Sequence, residues 1–164
     1  MHPLNQDPSE LIPQFESMDR ALIDASSMIY LSKAGCFDRL GMVIRLHALA
    51  EIIEEAGECP ESVLTVRSPY PRLSNDEKLI ACAVEMQLPV ITEDRRIVLR
   101  LAGKNHPVFN ALMMLCFLAH KKAVDGREYS RFLEALEKVA WYGPKVWEFG
   151  RRVYEQVLAA GRKP

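Results

Sequence analysis

The chain has 164 residues, a formal net charge of −1 and hydrophobic residues at 49% of its positions, which favours one folded domain of ordinary composition. No apolar run is long enough to cross a bilayer, and the N-terminus lacks the basic and apolar regions of a signal peptide. The four cysteines are scattered without a C-x-x-C pair, which argues against a zinc site and predicts reduced thiols. We therefore expect a cytoplasmic protein with its own hydrophobic core.

The first two thirds of the chain are predicted to alternate between strands and helices. Residues 1–19 are rich in proline and polar side chains and are predicted to form a loose, flexible leader. Hydrophobic periodicity then predicts, in order, a buried strand at 21–24, a helix at 25–33, a strand at 41–46, a helix at 47–56 and a weaker strand at 63–66.

The segment from Ser74 to Asp94 has the clearest local pattern. Ser74 and Glu77 fit the S-x-x-E capping box, which predicts a helix that runs to residue 86. A buried strand at 88–92 follows and ends in Glu93 and Asp94. The rest of the chain is predicted to be helical, at 95–101, 107–122, 127–141 and 144–160.

Alternating strands and helices predict an α/β fold, a three-layer α/β/α arrangement with a mostly parallel central sheet. A single domain is expected at 20–164, with a core at about 20–122 and a helical C-terminal extension at 123–164. A homodimer is also suggested, because one small sheet does not obviously bury all the large apolar residues of the helical tail after residue 104, which are Phe109, Met113, Met114, Phe117 and Trp147. We interpret Trp141, Tyr142 and Trp147 as core or interface anchors rather than as platforms for stacked bases.

Charge is distributed unevenly along the chain. Residues 1–94 contain 7 Lys/Arg and 16 Asp/Glu, whereas residues 95–164 contain 14 and 6. This asymmetry suits two surfaces with different roles, one whose acids bind a cation and one whose bases meet a phosphate backbone. The alternative is that the two halves interleave in space and their fields cancel. Charge alone does not decide between them.

Two of the predicted strands end in an acid at the same edge of the sheet. Asp24 follows the first strand and Asp94 the fourth, and α/β sheets bind ligands at the carboxyl ends of their strands. Neighbouring carboxylates repel, so they need a cation or a shared proton. For either residue taken singly, helix capping is the better interpretation. Asp76 weakens that interpretation, because it lies seven residues before Ala83 on the predicted inward face of its helix, where an acid is costly. Taken alone, however, Asp76 is slightly better explained by pairing with the helix N-terminus than by binding a metal.

The run from Asp76 to Asp94, DEKLIACAVEMQLPVITED, resembles the signature of the PIN domain family. That signature has an acid that opens a helix, an Ala-rich apolar helix, a Leu-Pro step, a buried strand and a T-x-D ending. The sequence from Leu22 to Ser26 is similar to the family's opening strand, and Glu51 falls at its second acidic position. The resemblance covers about residues 20–122.

The resemblance implies a divalent-metal-dependent ribonuclease that hydrolyses phosphodiester bonds with a metal-activated water. Asp24, Glu51, Asp76 and Asp94 would form an acidic quartet for Mg²⁺ or Mn²⁺, and Ser26 would assist ligation or position the water. The implied partners are an RNA substrate and, in a toxin–antitoxin pair, a protein antitoxin. The alternative is a catalytically weak or inactive PIN-like module that binds nucleic acid or protein partners.

Two features depart from the family pattern. Glu51 and Glu55 share one side of their helix, so the choice of Glu51 rests on the resemblance. Some family members carry a further acid shortly after the T-x-D ending, where this chain has Arg95 and Arg96. These arginines either contact RNA phosphates or form an ordinary solvated helix start, and the sequence leaves both open.

Overall fold

The structure, a computed structural model, describes residues 6–162, which form nine α-helices and one five-stranded sheet. The strands are β1 (Arg20–Ile23), β2 (Arg45–Leu49), β3 (Val63–Val66), β4 (Val90–Ile91) and β5 (Val108–Phe109). The helices are α1 (Leu11–Ser17), α2 (Ala25–Ala34), α3 (Phe37–Val43), α4 (Ala50–Ala56), α5 (Asn75–Met86), α6 (Arg95–Ala102), α7 (Ala111–His120), α8 (Gly126–Glu137) and α9 (Pro144–Gly161). None of these helices is both long and apolar enough to cross a membrane.

The sheet is parallel throughout, with the strand order β3-β2-β1-β4-β5. Strand β1 is central, and its Leu22 is aligned with His47 of β2 and with Val90 of β4. Its side chains from Ala21 to Ile23 are fully buried, as expected for a strand with helices on both faces. The predicted three-layer α/β/α fold with a parallel sheet is confirmed.

The C-terminal helices pack directly onto the core. Every residue from Ala111 to Leu118 of α7 is buried. Helix α7 packs against α1, α2, α3, α8 and α9, and its side chains belong to one continuous hydrophobic cluster. Gly150 of α9 meets Leu112 of α7 so closely that an added Cβ would lie 2.3 Å from Leu112 Cδ2. Only a glycine allows the two helices to approach this far, so α9 is fixed against α7.

The N-terminal segment is not a loose leader over residues 8–17. Phe15 of α1 is fully buried, and Leu11 is nearly so. The Phe15 ring lies 5.9 Å from the ring of Phe109 and 5.6 Å from that of Phe117, measured between centroids. Helix α1 is therefore part of the core, and the prediction of a flexible leader is wrong for these residues.

The prolines that suggested a leader lie where a helix tolerates them. Pro8 opens a short 3-10 turn at Pro8–Glu10, and Pro13 is the third residue of α1. The first N–H groups of a helix have no partner within the helix, so a proline there removes no hydrogen bond. The part of the leader prediction that concerns residues 1–5 lies outside the described residues.

Two predicted boundaries on the N-terminal half are wrong. The second strand, predicted at 41–46, is the segment Arg45–Leu49, because the residues before it form the short helix α3. The helix predicted from residue 47 therefore begins only at Ala50.

The helix predicted at 107–122 begins at Ala111, because Asn110 caps it. The Asn110 Oδ1 atom accepts a hydrogen bond of 2.9 Å from the N–H of Met113. The two residues before this cap, Val108 and Phe109, form the edge strand β5, which the sequence did not predict. Helix α8, predicted to reach residue 141, ends at Glu137.

The four cysteines are free, as predicted. Cys36, Cys82 and Cys116 are buried, whereas Cys59 is exposed. Burial raises the pKa of Cys36 and of Cys116 to about 12, so neither thiol is ionised at neutral pH.

Candidate metal centre

Asp24 lies where β1 ends and α2 begins. Its Oδ1 accepts the N–H of Ala25 at 2.8 Å and so caps α2, while its Oδ2 accepts the hydroxyl of Thr92 at 2.9 Å. Burial raises the pKa of Asp24, and the carboxylates of Asp76 and Asp94 raise it further, although the two hydrogen bonds oppose them. Asp24 is thus a largely buried acid close to two others.

Thr92 joins Asp24 to Asp94. Its side chain is fully buried, and its Oγ1 both donates to Asp24 and accepts the N–H of Asp94 at 3.1 Å. Asp94 in turn caps α6, with its Oδ1 accepting the N–H of Arg96 at 2.7 Å. Burial works to raise the pKa of Asp94, but the hydrogen bonds from the Arg96 guanidinium and N–H outweigh it and lower that pKa. Asp24 and Asp94 are therefore neighbours, as predicted, and each also caps the helix that follows it.

Asp76 lies in the first turn of α5, where the predicted capping box fixes the helix start. The Ser74 Oγ accepts the N–H of Glu77, and a Glu77 carboxylate oxygen accepts the N–H of Ser74 at 3.0 Å. The Asp76 side chain is 44% exposed, so the expectation that it points to the buried side is wrong. The Asp76 side chain faces solvent and Arg96. The argument that a buried Asp76 needs a cation to offset its desolvation therefore does not apply.

Arg96 pairs with two of the predicted acids at once. Its Nη2 lies 3.5 Å from Asp76 Oδ2 and 3.3 Å from Asp94 Oδ2. The Arg96 side chain is 81% exposed, and ion pairs in such exposed positions are screened by solvent and contribute little to stability. A divalent cation would therefore displace the guanidinium at small cost.

Glu51 is tied to α5 by Lys78. The Lys78 ammonium lies 3.2 Å from Glu51 Oε1, and Lys78 is itself buried. The second oxygen, Glu51 Oε2, is buried and has no hydrogen-bond partner within residues 6–162. Glu55, by contrast, is exposed and accepts a hydrogen bond from the Asn75 side chain. Of the two candidate glutamates, Glu51 is the one that turns inward.

The structure brings together Asp24, Asp76 and Asp94, whereas Glu51 is held beside α5 by Lys78. Across the described part of the chain, no three His, Cys, Asp or Glu side chains stand close enough to hold a metal ion as they are.

Two orphan oxygens show that the residues suit a cation. The Ser26 hydroxyl is buried without a hydrogen-bond partner among the described residues, as is Glu51 Oε2. Buried polar atoms in native proteins are nearly always satisfied, so such atoms call for a water or an ion. All five predicted ligands offer hard oxygen atoms, which Mg²⁺ and Mn²⁺ prefer. In chemical type these donors fit the predicted metal, but across the described residues they are not gathered around one point.

Glu93 is a partly buried acid to which the sequence analysis assigned no role. Its Oε1 accepts the Ser27 hydroxyl at 2.7 Å and the N–H of Ala111 at 2.8 Å, and its Oε2 accepts the hydroxyl of Tyr142. Burial raises its pKa, and these three donors oppose that change. Both oxygens are taken by the chain, so Glu93 joins α2, α7 and the segment before α9 and is not a free ligand.

Lys78 was also missed, although the sequence carries a signal for it. It lies four residues before Cys82, which places the two side chains on one face of α5. Both are buried. The inward direction of Glu93 has no such signal, since it follows from the path of the chain between β4 and α6.

Glu93→Gln is expected to make stability less dependent on pH. The folded state raises this carboxyl's pKa above its ordinary 4.5, so between the two values the folded chain binds more protons than the unfolded chain. Stability falls with rising pH in that window, and glutamine cannot titrate. Urea unfolding from pH 4 to 8 should therefore show that wild type loses free energy of unfolding relative to Glu93→Gln as the pH rises above about 4.5.

The matched control is Glu148→Gln, an exposed acid whose pKa is lowered by a hydrogen bond from Arg151. Its small pH effect should have the opposite sign. A constant difference between wild type and Glu93→Gln at every pH would contradict the assignment of Glu93 as an acid with a raised pKa.

Comparison with known proteins found no matching family model, no matching curated protein and no matching solved structure. The residues of the site are therefore the guide to what the protein does.

Proposed function

We propose that this protein is a divalent-metal-dependent ribonuclease that hydrolyses phosphodiester bonds with a metal-activated water. The observation that carries the proposal is the convergence of Asp24, Asp76 and Asp94 at the carboxyl edge of a parallel sheet. The unsatisfied hydroxyl of Ser26 lies two residues from Asp24 and supports it. So does the resemblance of residues 76–94 to the PIN signature.

Each residue has a distinct task in this proposal. Bound Mg²⁺ or Mn²⁺ would activate a water and neutralise charge on the phosphate. Asp24 supplies a carboxylate that Thr92 holds in place, and Asp94 supplies one oriented by the N–H of Arg96. The buried hydroxyl of Ser26 is free to position the attacking water. The proposed substrate is RNA. The protein would be the toxin of a toxin–antitoxin pair, in which a protein antitoxin inhibits the nuclease.

Arg96 favours a second candidate function, an inactive module that binds nucleic acid or protein partners. A guanidinium already neutralises Asp76 and Asp94, and the Lys78 ammonium neutralises Glu51. If these cations stay in place permanently, the acids are structural and need no metal. Metal binding separates the two functions.

Calorimetric titration with Mn²⁺ tests the proposed function on wild type, Asp94→Asn and Arg96→Gln. Wild type should bind, and Asp94→Asn should weaken binding by at least about tenfold, the lower end of the loss seen when even an outer-shell partner is removed. Asparagine caps a helix as well as aspartate does, so α6 should survive the change. Arg96→Gln should tighten binding, because it removes the competing cation.

Opposite signs in the two variants would locate the ion between these residues. No binding by wild type, or equal binding by wild type and Asp94→Asn, would contradict the ribonuclease proposal and favour the inactive module.

A further inference from the structure

Trp141 is the most exposed large apolar side chain in residues 6–162, with 94% of its surface accessible. The core alternative proposed for it from sequence is therefore wrong, whereas Trp147 is partly buried against the core. An indole ring has one of the largest apolar surfaces of any side chain, and leaving it in water forgoes its burial. Tryptophan is enriched at the sites where proteins contact other molecules, so an exposed indole is a candidate contact residue.

The backbone that carries Trp141 is fixed on both sides. Ala140 is buried, and its N–H closes the end of α8 with a hydrogen bond of 2.8 Å. On the other side, the Tyr142 hydroxyl donates to Glu93, and the Tyr142 ring packs edge-on against Trp147 with centroids 5.0 Å apart. The contacts of the two neighbouring residues therefore anchor the backbone on either side of Trp141, while its indole stands in solvent. A tryptophan side chain has only two rotatable bonds, so it loses little conformational entropy when it binds.

The same contacts attach Trp141 to the edge of the sheet that carries the acids. Glu93, the partner of Tyr142, directly precedes Asp94 and also accepts the hydroxyl of Ser27, the neighbour of Ser26. The segment around Trp141 is therefore fastened to the loop and helix start that present two of the proposed metal ligands.

The charged residues nearest to Trp141 in sequence are basic, and the nearest acids, Glu137 and Glu148, lie just outside them. Lys138 and Lys145 are exposed, and residues 138–145 contain no acid. An exposed aromatic ring between cations matches the two chemical features of a single nucleic-acid strand, a flat base and a phosphate. A duplex conceals its base faces, so the match is to single strands.

In place of the anchor role interpreted from the sequence, we propose that Trp141 is a stacking platform for a nucleobase of single-stranded RNA, with Lys138 and Lys145 facing the adjacent phosphates. The platform rests on the proposed function, because it would hold the strand whose phosphodiester bond lies at the acidic edge. The proposed site would bind RNA as a single strand, and Trp141 is the residue that would contact its base.

Fluorescence anisotropy of a labelled single-stranded RNA 12-mer tests the platform in the presence of EDTA, so that no metal acts and nothing is cleaved. Trp141→Ala should weaken binding about 5- to 150-fold, the range that follows from the loss of one base–aromatic stack. Trp141→Phe should retain most of the affinity, because phenylalanine also stacks. Met42→Ala is the matched control, since Met42 is also a large apolar side chain, 82% exposed, and belongs to a different element, α3. It should bind RNA as wild type does.

Equal affinity of wild type and Trp141→Ala, or no binding by wild type, would overturn the platform. Sedimentation velocity shows whether Trp141→Ala instead alters the assembly of the protein. If it does so without weakening RNA binding, the indole belongs to a protein interface and the platform is wrong. The result is independent of the Mn²⁺ titration, because binding in EDTA reports only on the platform and the titration only on the metal.

Discussion

Replacing Asp24 with asparagine is expected to slow Mn²⁺-dependent RNA cleavage about 10²- to 10³-fold and to leave the protein folded. A catalytic metal supplies several kcal/mol of transition-state stabilisation, and each 1.4 kcal/mol or so is a factor of ten in rate. Asp24 is the most buried of the three convergent acids, and its Oδ2 atom accepts a hydrogen bond from the Thr92 hydroxyl. Asparagine keeps an oxygen to accept the N–H of Ala25, so α2 retains its cap.

The matched control for this variant is Asp38→Asn, the same change at an exposed acid in the first turn of α3. Single-turnover cleavage of a labelled single-stranded RNA by the three proteins, with urea unfolding on the same samples, gives the comparison. Asp38→Asn should cleave as wild type does. Equal rates in wild type and Asp24→Asn would indicate either a contaminating nuclease or an active centre elsewhere, and would remove Asp24 from the mechanism.

Gly150→Ala is expected to lower the free energy of unfolding by about 1–3 kcal/mol, the usual cost of overpacking a core. The added Cβ would lie 2.3 Å from Leu112 Cδ2 and 2.7 Å from its Cγ, so the Leu112 side chain or one of the two helices must shift. For a chain of this length that loss lowers the melting temperature by about 2–12 °C. Thermal unfolding followed by circular dichroism measures it.

A double-mutant cycle isolates the contact. Leu112→Ala removes the atoms that the new Cβ would strike, so the pair Leu112→Ala with Gly150→Ala should be more stable than the two single changes predict by addition. Gly161→Ala is the control, because nothing lies within 4 Å of its added Cβ at the end of the same helix. Equal loss in Gly150→Ala and Gly161→Ala would show that the α7–α9 approach is not tight.

Local chemistry explains which elements the sequence predicted well. The Ser74–Glu77 capping box satisfies its hydrogen bonds within four residues, so α5 begins where the pattern places it. The first helix after β1 ends at Gly35, whose φ of +86° favours glycine in any context. Where an element depends on contacts with residues distant in sequence, the local sequence pattern does not predict it. Phe15 is helical and buried only because Phe109 and Phe117 close around it.

The candidate site divides in the same way. Asp24 and Asp94 were predictable neighbours, because each ends a strand and the carboxyl ends of parallel strands meet at one edge. The pairing of Arg96 with two acids and of Lys78 with Glu51 was not, since long basic side chains choose partners by the final placement of their helices. The exposure of Trp141 likewise depends on which surfaces the surrounding helices cover.

During synthesis of the chain, one edge of strand β1 has no partner for several seconds, until the residues of β4 have been made. Its N–H groups at Leu22 and Asp24 donate to the carbonyls of Pro89 and Ile91, residues made about 70 positions later. At about 5–20 residues per second, the ribosome needs roughly 3–14 s to supply them. An apolar strand with a bare edge invites pairing with other chains, so the nascent N-terminal half is the form of this protein that most needs a chaperone.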